Sequence, residues 1–432
     1  MKSKTLELKP SYNTSTHRLI IEKVKDKTKI FNKEDIDQIT QGFMDSNISS
    51  HHGTAFVLSQ HFTQYTLDEI EAMARSFAES GRIFDFTGPT FAKHSLGGVP
   101  GNKITLLIVP ILAAAGLLIP KTSTHAITSA SGTADSMGVL APVDIKADEV
   151  IEIVNKTKAC IVTGREMGIA PVVDKIIQNA AFPLGIDPVS LMFAGILAKK
   201  LAMGVDFLVL DVPIGTEKVS TEEEGRLLAR QFVDLAHRLG IKAEAALTYA
   251  AVPVGHTIGP LLEAREALEA LEGKGPTSLV EKSCELSGIV FELAGMTPRG
   301  FGKQYASELL RSGKALQKMR EIIGAQGGDS TVTPADLSQK LKDRPVLEYK
   351  APSDGWPHTW STYALKEIAR TAGAPRDPCA GIEILAKKES VRKGDIVFRV
   401  YGSSESALDE VRGLIAKLRP VIIESVLLER IA

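Results

Sequence analysis

The sequence predicts an α/β protein: a small all-helical domain, a large α/β domain with a mostly parallel central sheet, and a C-terminal α+β part. Residues 32–81 carry helical periodicity, residues 206–248 alternate strand, helix and strand, and residues 380–432 mix short strands with a helix. The middle stretch decides the class, because a βαβ unit requires a parallel sheet covered by helices.

Residues 1–15 are polar, include a Pro and an Asn, and read as an extended or disordered lead-in. Asn32 can cap a helix whose apolar positions are Ile36, Ile39 and Phe43. Thr66 and Glu69 form a capping-box signature ahead of Ile70, Met73, Ala74 and Phe77, which share one helical face, and Gly81 stops the helix. A short hydrophobic segment follows at 83–86, then a loop rich in Gly, Ser and Lys over 93–103. Residues 104–120 hold no charge and lie between Lys103 and Lys121. At 17 residues, with Pro110 inside and Gly116 near the end, the stretch reads as a buried helix of a soluble protein rather than a membrane span.

A second loop, rich in Ser and Thr, covers 121–135. The aliphatic runs 206–214 and 241–248 read as buried strands. Residues 220–240 between them form a helix, with Ser220 and Glu223 as its capping box and Gly240 as its stop. Residues 324–333 are a turn-rich linker. Strands at 382–386 and 395–400, a helix at 404–418 and a strand at 421–427 complete the chain. Internal repeats and low-complexity tracts are absent from the sequence.

Composition narrows the function. Of 432 residues 44% are apolar and 24% charged, and Lys+Arg 51 nearly balance Asp+Glu 52, for a formal charge of −1. Such a chain has no general attraction to nucleic acid or anionic membrane, so any anion specificity is local. Three widely spaced cysteines, Cys160, Cys284 and Cys379, offer neither a disulfide framework nor a metal-ligand spacing, and favour a reducing, cytoplasmic home.

Two loops are suited to anions. In KHSLGGVPGNK (93–103) the glycines let backbone N–H groups approach closely and Lys93 supplies charge. It is not a Walker A loop, because Asn102 separates Gly101 from Lys103. A plain strand-to-helix turn would use the same residues. The second loop places seven hydroxyl side chains in fifteen residues, donors that suit a phosphate or a sugar, although Ser and Thr also serve local backbone bonds.

These segments resemble the thymidine phosphorylase family, and more closely its archaeal AMP phosphorylase branch. The residues that carry the resemblance are KHSLGGVPGNK, IPKTSTHAITSASGTAD (119–135), LAPVD (140–144), PLGIDP (183–188), ILAKK (196–200), DVPIG with Lys218, PVGHTIGPLLEAREAL (253–268) and AGIEILAK…KGDIVFRVYG. The archaeal members carry an extra N-terminal domain; this chain starts too late to hold one, so a build closer to the thymidine phosphorylases is expected. The resemblance implies a helical domain from residues 1–82 and 171–204, an α/β domain from 83–170 and 205–330, and a C-terminal α+β part at 331–432. It also implies an active-site cleft closed by hinge motion, and a homodimer.

The family's chemistry is phosphorolysis of a glycosidic bond, with inorganic phosphate as co-substrate and neither metal nor organic cofactor. Carried over by position, Lys93, Ser95, Ser123 and Thr133 would hold phosphate, with Gly98 giving close backbone approach. His94 would polarise the leaving group, and Lys199 would contact the base. Asp187 would be the proton donor, a task that requires a raised pKa. Thr124, His125, Ala126, Ile127, Thr128, Ser129, Gly195 and Lys218 would contact the nucleotide.

Some positions depart from the family pattern. Gly195 stands where a base-contacting serine is usual, Ala180 near a pyrimidine-binding arginine, and His125 in place of an arginine. Met137-Gly138 replaces a common glutamate, while Asp174 persists. Losing the arginine and serine argues against plain thymidine recognition. Lys218 and the loop Thr124–Ser129, matched to the nucleotide branch, make cleavage of a nucleoside 5′-monophosphate the expected activity. A pyrimidine nucleoside phosphorylase and a catalytically weak nucleotide or sugar-phosphate binding protein are the alternatives.

Overall fold

The expected helix cap at Asn32 and the expected capping box at Thr66 both form in the computed structural model, which describes residues 14–126, 129–216, 218–386, 390–425 and 431. The Asn32 side chain accepts the Asp35 N–H and opens the helix Lys33–Met44. The Glu69 carboxylate takes the Thr66 N–H at 2.9 Å and opens the helix Leu67–Glu79. Most of the expected lead-in lies outside the described residues.

The chain forms two compact units. The first takes in the described residues through Phe86, Met167–Val205 and Asp234–Ile241. It is helical: Thr14–Lys25, Lys33–Met44, Ser50–Phe62 and Leu67–Glu79 are joined by Pro171–Ile176, a π-helical turn at Ile177–Ala181, and Val189–Ala202. The last helix packs on Leu67–Glu79. Ile20, Ile36, Phe56, Met73, Phe77 and Phe193 are buried in this unit. Its one fully enclosed ion pair among the described residues joins Lys23 to Glu69 at 2.7 Å, and Glu69 also accepts the Phe31 N–H at 3.0 Å.

The second unit holds Thr87–Glu166, Asp206–Val233 and the described residues from Lys242 onward. Its strands are β1 (Phe91–Ser95), β2 (Ile119–Ser123), β3 (Ala159–Thr163), β4 (Phe207–Ile214) and β5 (Lys242–Tyr249). β4 lies between β1 and β5, all parallel, and β2 pairs parallel with β3. A bridge between Thr90 and Leu118, with the Phe91 N–H donating to the Leu118 carbonyl at 2.8 Å, links β1 to β2. The α/β class and its parallel sheet are as expected.

Local structure differs from expectation at several places. The uncharged stretch 104–120 is two elements: the helix Thr105–Ala114, buried along nearly its whole length, and then β2. Gly116, at φ +90°, makes the turn that separates them. The helix over 220–240 is Glu222–Arg238, and its cap is Thr221, which accepts the Glu224 N–H at 3.2 Å. Ser220 instead donates to the Glu224 carboxylate, since the run TEEE offers the capping spacing one residue later. The linker 324–333 is anchored: the Gln326 side chain accepts the Ile161 N–H at 2.8 Å and donates to the Ile161 carbonyl at 3.0 Å.

The C-terminal stretch adds β7 (Val346–Lys350), β8 (Trp356–Trp360), β9 (Gly381–Ile384), β10 (Ile396–Tyr401) and β11 (Val421–Glu424), and the earlier β6 (Thr257–Ile258) joins them. One antiparallel sheet runs β6-β9-β10-β7, and β8 pairs with β11. The helices Thr362–Thr371 and Glu405–Leu418 cover a core that includes Leu365, Ile382, Phe398 and Leu408. The strand expected to reach residue 427 ends at Glu424, and residues 426–427 lie outside those described. Among the described residues no helix is long and apolar enough to cross a membrane.

Candidate active site

Parallel strands collect ligand-facing groups at their C-terminal ends. β1 ends on Lys93, His94 and Ser95, which the sequence alone suggests are loop. Strand alternation puts Lys93 and Ser95 on one face, where the Lys93 Nζ donates to the Ser95 Oγ at 2.6 Å. Register places Ser95 opposite Asp211 of β4. The Ser95 hydroxyl donates to Asp211 Oδ2 at 2.6 Å and the Thr248 hydroxyl to Oδ1 at 2.5 Å. Lys282, from the helix Thr277–Leu293, brings its ammonium within 3.2 Å of the same carboxylate.

Burial by itself would raise the Asp211 carboxyl; Lys282, Lys93 and the two hydroxyls outweigh it and hold the group below its ordinary range. Burial pushes the Lys93 amine down to about 7, with Asp211 opposing the shift and Lys282 and Lys121 adding to it. The floor of the site thus holds an amine whose charge is finely balanced.

The glycine loop continues from β1. Gly101 has φ +73°, and a Cβ there would lie 2.6 Å from the Thr257 carbonyl oxygen and 2.8 Å from that of Val254. Only glycine fits. Both carbonyls also accept from Lys103 Nζ at 3.0 Å, and Glu266 Oε2 completes the cage at 2.5 Å. Glu266 in turn accepts the His256 N–H at 2.9 Å and the Thr257 hydroxyl at 3.0 Å. Lys103 therefore ties the glycine loop to residues 254–257.

Asp135 organises the second loop. Its Oδ2 accepts the Ala126 N–H at 2.7 Å and the Gly132 N–H at 2.8 Å, while Oδ1 meets the His125 Nδ1 at 2.6 Å. Lys121 and Ser123 share a face of β2 by the same alternation as Lys93 and Ser95. Ile127 and Thr128 lie outside the described residues.

The two loops bound one cavity of about 390 Å³. Lys93, His94, Ser95 and Gly98 line it from the first loop, and Ser123, Thr124, His125, Ala126, Ser129 and Thr133 from the second. Lys218, beyond β4, and Lys366, from the C-terminal stretch, also reach it. Eleven of the residues singled out from the sequence thus converge on one space.

Asp187, Gly195 and Lys199 belong to the helical unit. Asp187 is exposed just ahead of the helix Val189–Ala202, so its surroundings within this unit do not supply the burial its expected role calls for. The Lys199 Nζ pairs with Asp174 at 2.8 Å. Gly195 is buried, and a Cβ there would stand 3.0 Å from Val173 Cγ1. The valine takes up the room that a serine would need. Ala180, wholly buried, lies in the π-helical turn.

Asp211, Lys282, Asp135 and Lys366 carry weight that the sequence reading did not assign. Asp211 opens the DVPIG motif, and a carboxylate inside an aliphatic strand was the available signal. Lys282 has no comparable local signal.

Glu263 lies behind the second loop in the helix Pro260–Leu271, 4% exposed, and accepts the Gly259 N–H at 3.1 Å. Burial pushes its carboxyl up to about 7, against the pull of Lys103. A raised carboxyl favours the fold while protonated, so this contribution is lost as pH rises through about 7. Glu263→Gln is expected to match the parent near pH ~4 and to be more stable by about 3 kcal/mol near pH ~8. Denaturant midpoints at the two pH values check this.

Residues 87–316 match the family model described as glycosyl transferase family, a/b domain, and the chain belongs to that family. Over 432 residues it is 45% identical to an AMP phosphorylase of Methanosarcina barkeri, covering 99% of this chain and 84% of that protein. An AMP phosphorylase of Thermococcus kodakarensis is 45% identical over 403 residues, 92% of this chain and 79% of that one. Within the family the chain falls in the AMP phosphorylase branch.

Among solved structures, anthranilate phosphoribosyltransferase (TrpD) from Thermus thermophilus matches with TM-score 0.61 at 19% identity, over 71% of this chain and 99% of that one. The Saccharomyces cerevisiae enzyme matches with TM-score 0.57 at 16% identity, over 73% and 98%. These two establish shared fold alone.

Proposed function

We propose that the chain cleaves the N-glycosidic bond of a nucleoside 5′-monophosphate, AMP first among them, with inorganic phosphate, releasing free base and ribose 1,5-bisphosphate. The observation that carries the reading is a single cavity with lysines and hydroxyls enough for two phosphates. Lys93, Ser95, Gly98, Ser123 and Thr133 form the group proposed for the attacking phosphate. The loop Thr124–Ser129 with Lys218 is proposed for the nucleotide.

A phosphate oxygen attacks C1′ while the C1′–N bond breaks and its electron pair leaves with the base. Asp187 is the proposed donor of the proton that neutralises the base, and it recovers a proton from the phosphate that has become an ester. His94 is proposed beside the leaving group and Lys199 at the base. Holding a preorganised cation against the nucleophile is mainly electrostatic and positional work. The filled space at Gly195 supports a base contact unlike that of the thymidine enzymes.

Base release from AMP, CMP, UMP, thymidine and uridine, each with and without phosphate, tests the reading. Phosphate-dependent release from nucleotides supports it, whereas turnover of unphosphorylated nucleosides alone refutes it. A homodimer in the cytoplasm is the proposed working form, open to sedimentation and fractionation.

A further inference from the structure

Beneath the cavity lies a charged pair to which the proposed chemistry gives no task. Asp211 is fully buried, and the side chain of Lys282 is only 9% exposed. The Lys282 ammonium makes no hydrogen bond among the described residues, so charge alone holds it 3.2 Å from Asp211. Ser95 has a single proton, and that proton goes to Asp211 at 2.6 Å. The Ser95 oxygen is thereby left as an acceptor, for Lys93 at 2.6 Å and for the Asn102 amide at 3.4 Å.

We propose that Asp211, countered by Lys282, is a positioning residue for the attacking phosphate: it draws off the Ser95 proton so that the Ser95 oxygen aims the Lys93 amine into the cavity. This rests on the reading that the cavity takes phosphate. Ser95 then serves the anion through Lys93 rather than by its own proton. The charged groups around Lys93 are Asp211 on β4, Lys282 on the helix Thr277–Leu293 and Lys121 on β2. Lys282 offsets Asp211, so that the carboxylate does not take up the Lys93 charge that meets the incoming anion.

Sulfate, whose charge stays constant across the neutral range, is the probe, bound calorimetrically from mildly acid to mildly alkaline pH. Binding to the parent protein weakens as pH rises and Lys93 gives up its proton. Lys282→Met leaves Asp211 to act on Lys93 alone; the amine keeps its proton to higher pH but is drawn away from the cavity. The alkaline limit of binding moves up, and affinity on the acid side falls roughly tenfold. Asp211→Asn moves the same limit down, because two ammonium groups lose their counter-charge. Lys282→Arg restores parental behaviour.

Opposite shifts from the two variants support the proposal. Equal shifts, or none, in folded protein overturn it. Should the single variants fail to fold, Asp211→Leu with Lys282→Met removes the pair together, a change that buried ion pairs often tolerate. Sulfate affinity roughly tenfold below the parent supports the role, and parental affinity overturns it. A parent that binds sulfate but releases no base from AMP with phosphate would refute the phosphorolysis reading and leave the positioning result standing.

Discussion

Lys93→Ala is expected to lower phosphate-dependent turnover by a factor of about 10²–10³, the scale of losing one preorganised donor at a developing charge. The protein should remain folded, and for a definite reason. Burial depresses this amine to about 7, so below that pH the fold carries the cost of a dehydrated charge. Between about 7 and the ordinary lysine value the unfolded chain holds the proton and the folded chain does not. The stability lost to the amine is therefore regained as pH climbs through that window. Deleting the amine removes activity and leaves the thermal midpoint unchanged or higher. Turnover at saturating nucleotide, taken with a melting curve, separates this outcome from simple unfolding. Parental turnover in the alanine variant would remove Lys93 from the anion site.

Lys103→Met is expected to act in the opposite sense, on stability first. The ammonium is fully enclosed, with two carbonyls at 3.0 Å and Glu266 at 2.5 Å. Removing it strands a buried carboxylate, and breaking such a pair typically costs about 3–5 kcal/mol. Pairing the change with Glu266→Gln, which keeps an acceptor for the His256 N–H, should recover a large part of that loss. Denaturant midpoints for the parent, the two single variants and the double variant close the cycle. Since Lys103 also holds the Gly101 region against residues 254–257, the surviving folded fraction should bind phosphate more weakly.

Legibility of the molecule followed the range of the interactions. The capping boxes at Asn32 and Thr66 were readable because their partners lie three residues away. The βαβ unit and its parallel sheet were readable from aliphatic runs flanking one amphipathic helix. β1 was not, because its last three residues are polar and only their place beside β4 makes them strand. Asp211 meets Ser95 across 116 residues of sequence, so its role depends on strand register that no local pattern announces. Gly195 was legible as a departure, but its cause, the Val173 methyl group 3.0 Å from where a Cβ would stand, belongs to another helix. The two anion loops were found by residue type; that both line one cavity is a property of the sheet.

The helical unit is written in three separate stretches of chain, and the helix Val189–Ala202 packs on Leu67–Glu79. During synthesis the early helices leave the ribosome well before their partner exists. Until about residue 202 has emerged, part of the apolar stripe that includes Met73 and Phe77 has nothing to pack against, and it is a natural target for a chaperone. Translation stalled after Thr133 but before the helix Val189–Ala202 should therefore yield aggregation-prone nascent chains, even though Lys93, Ser95, Gly98, Ser123 and Thr133 have already been made.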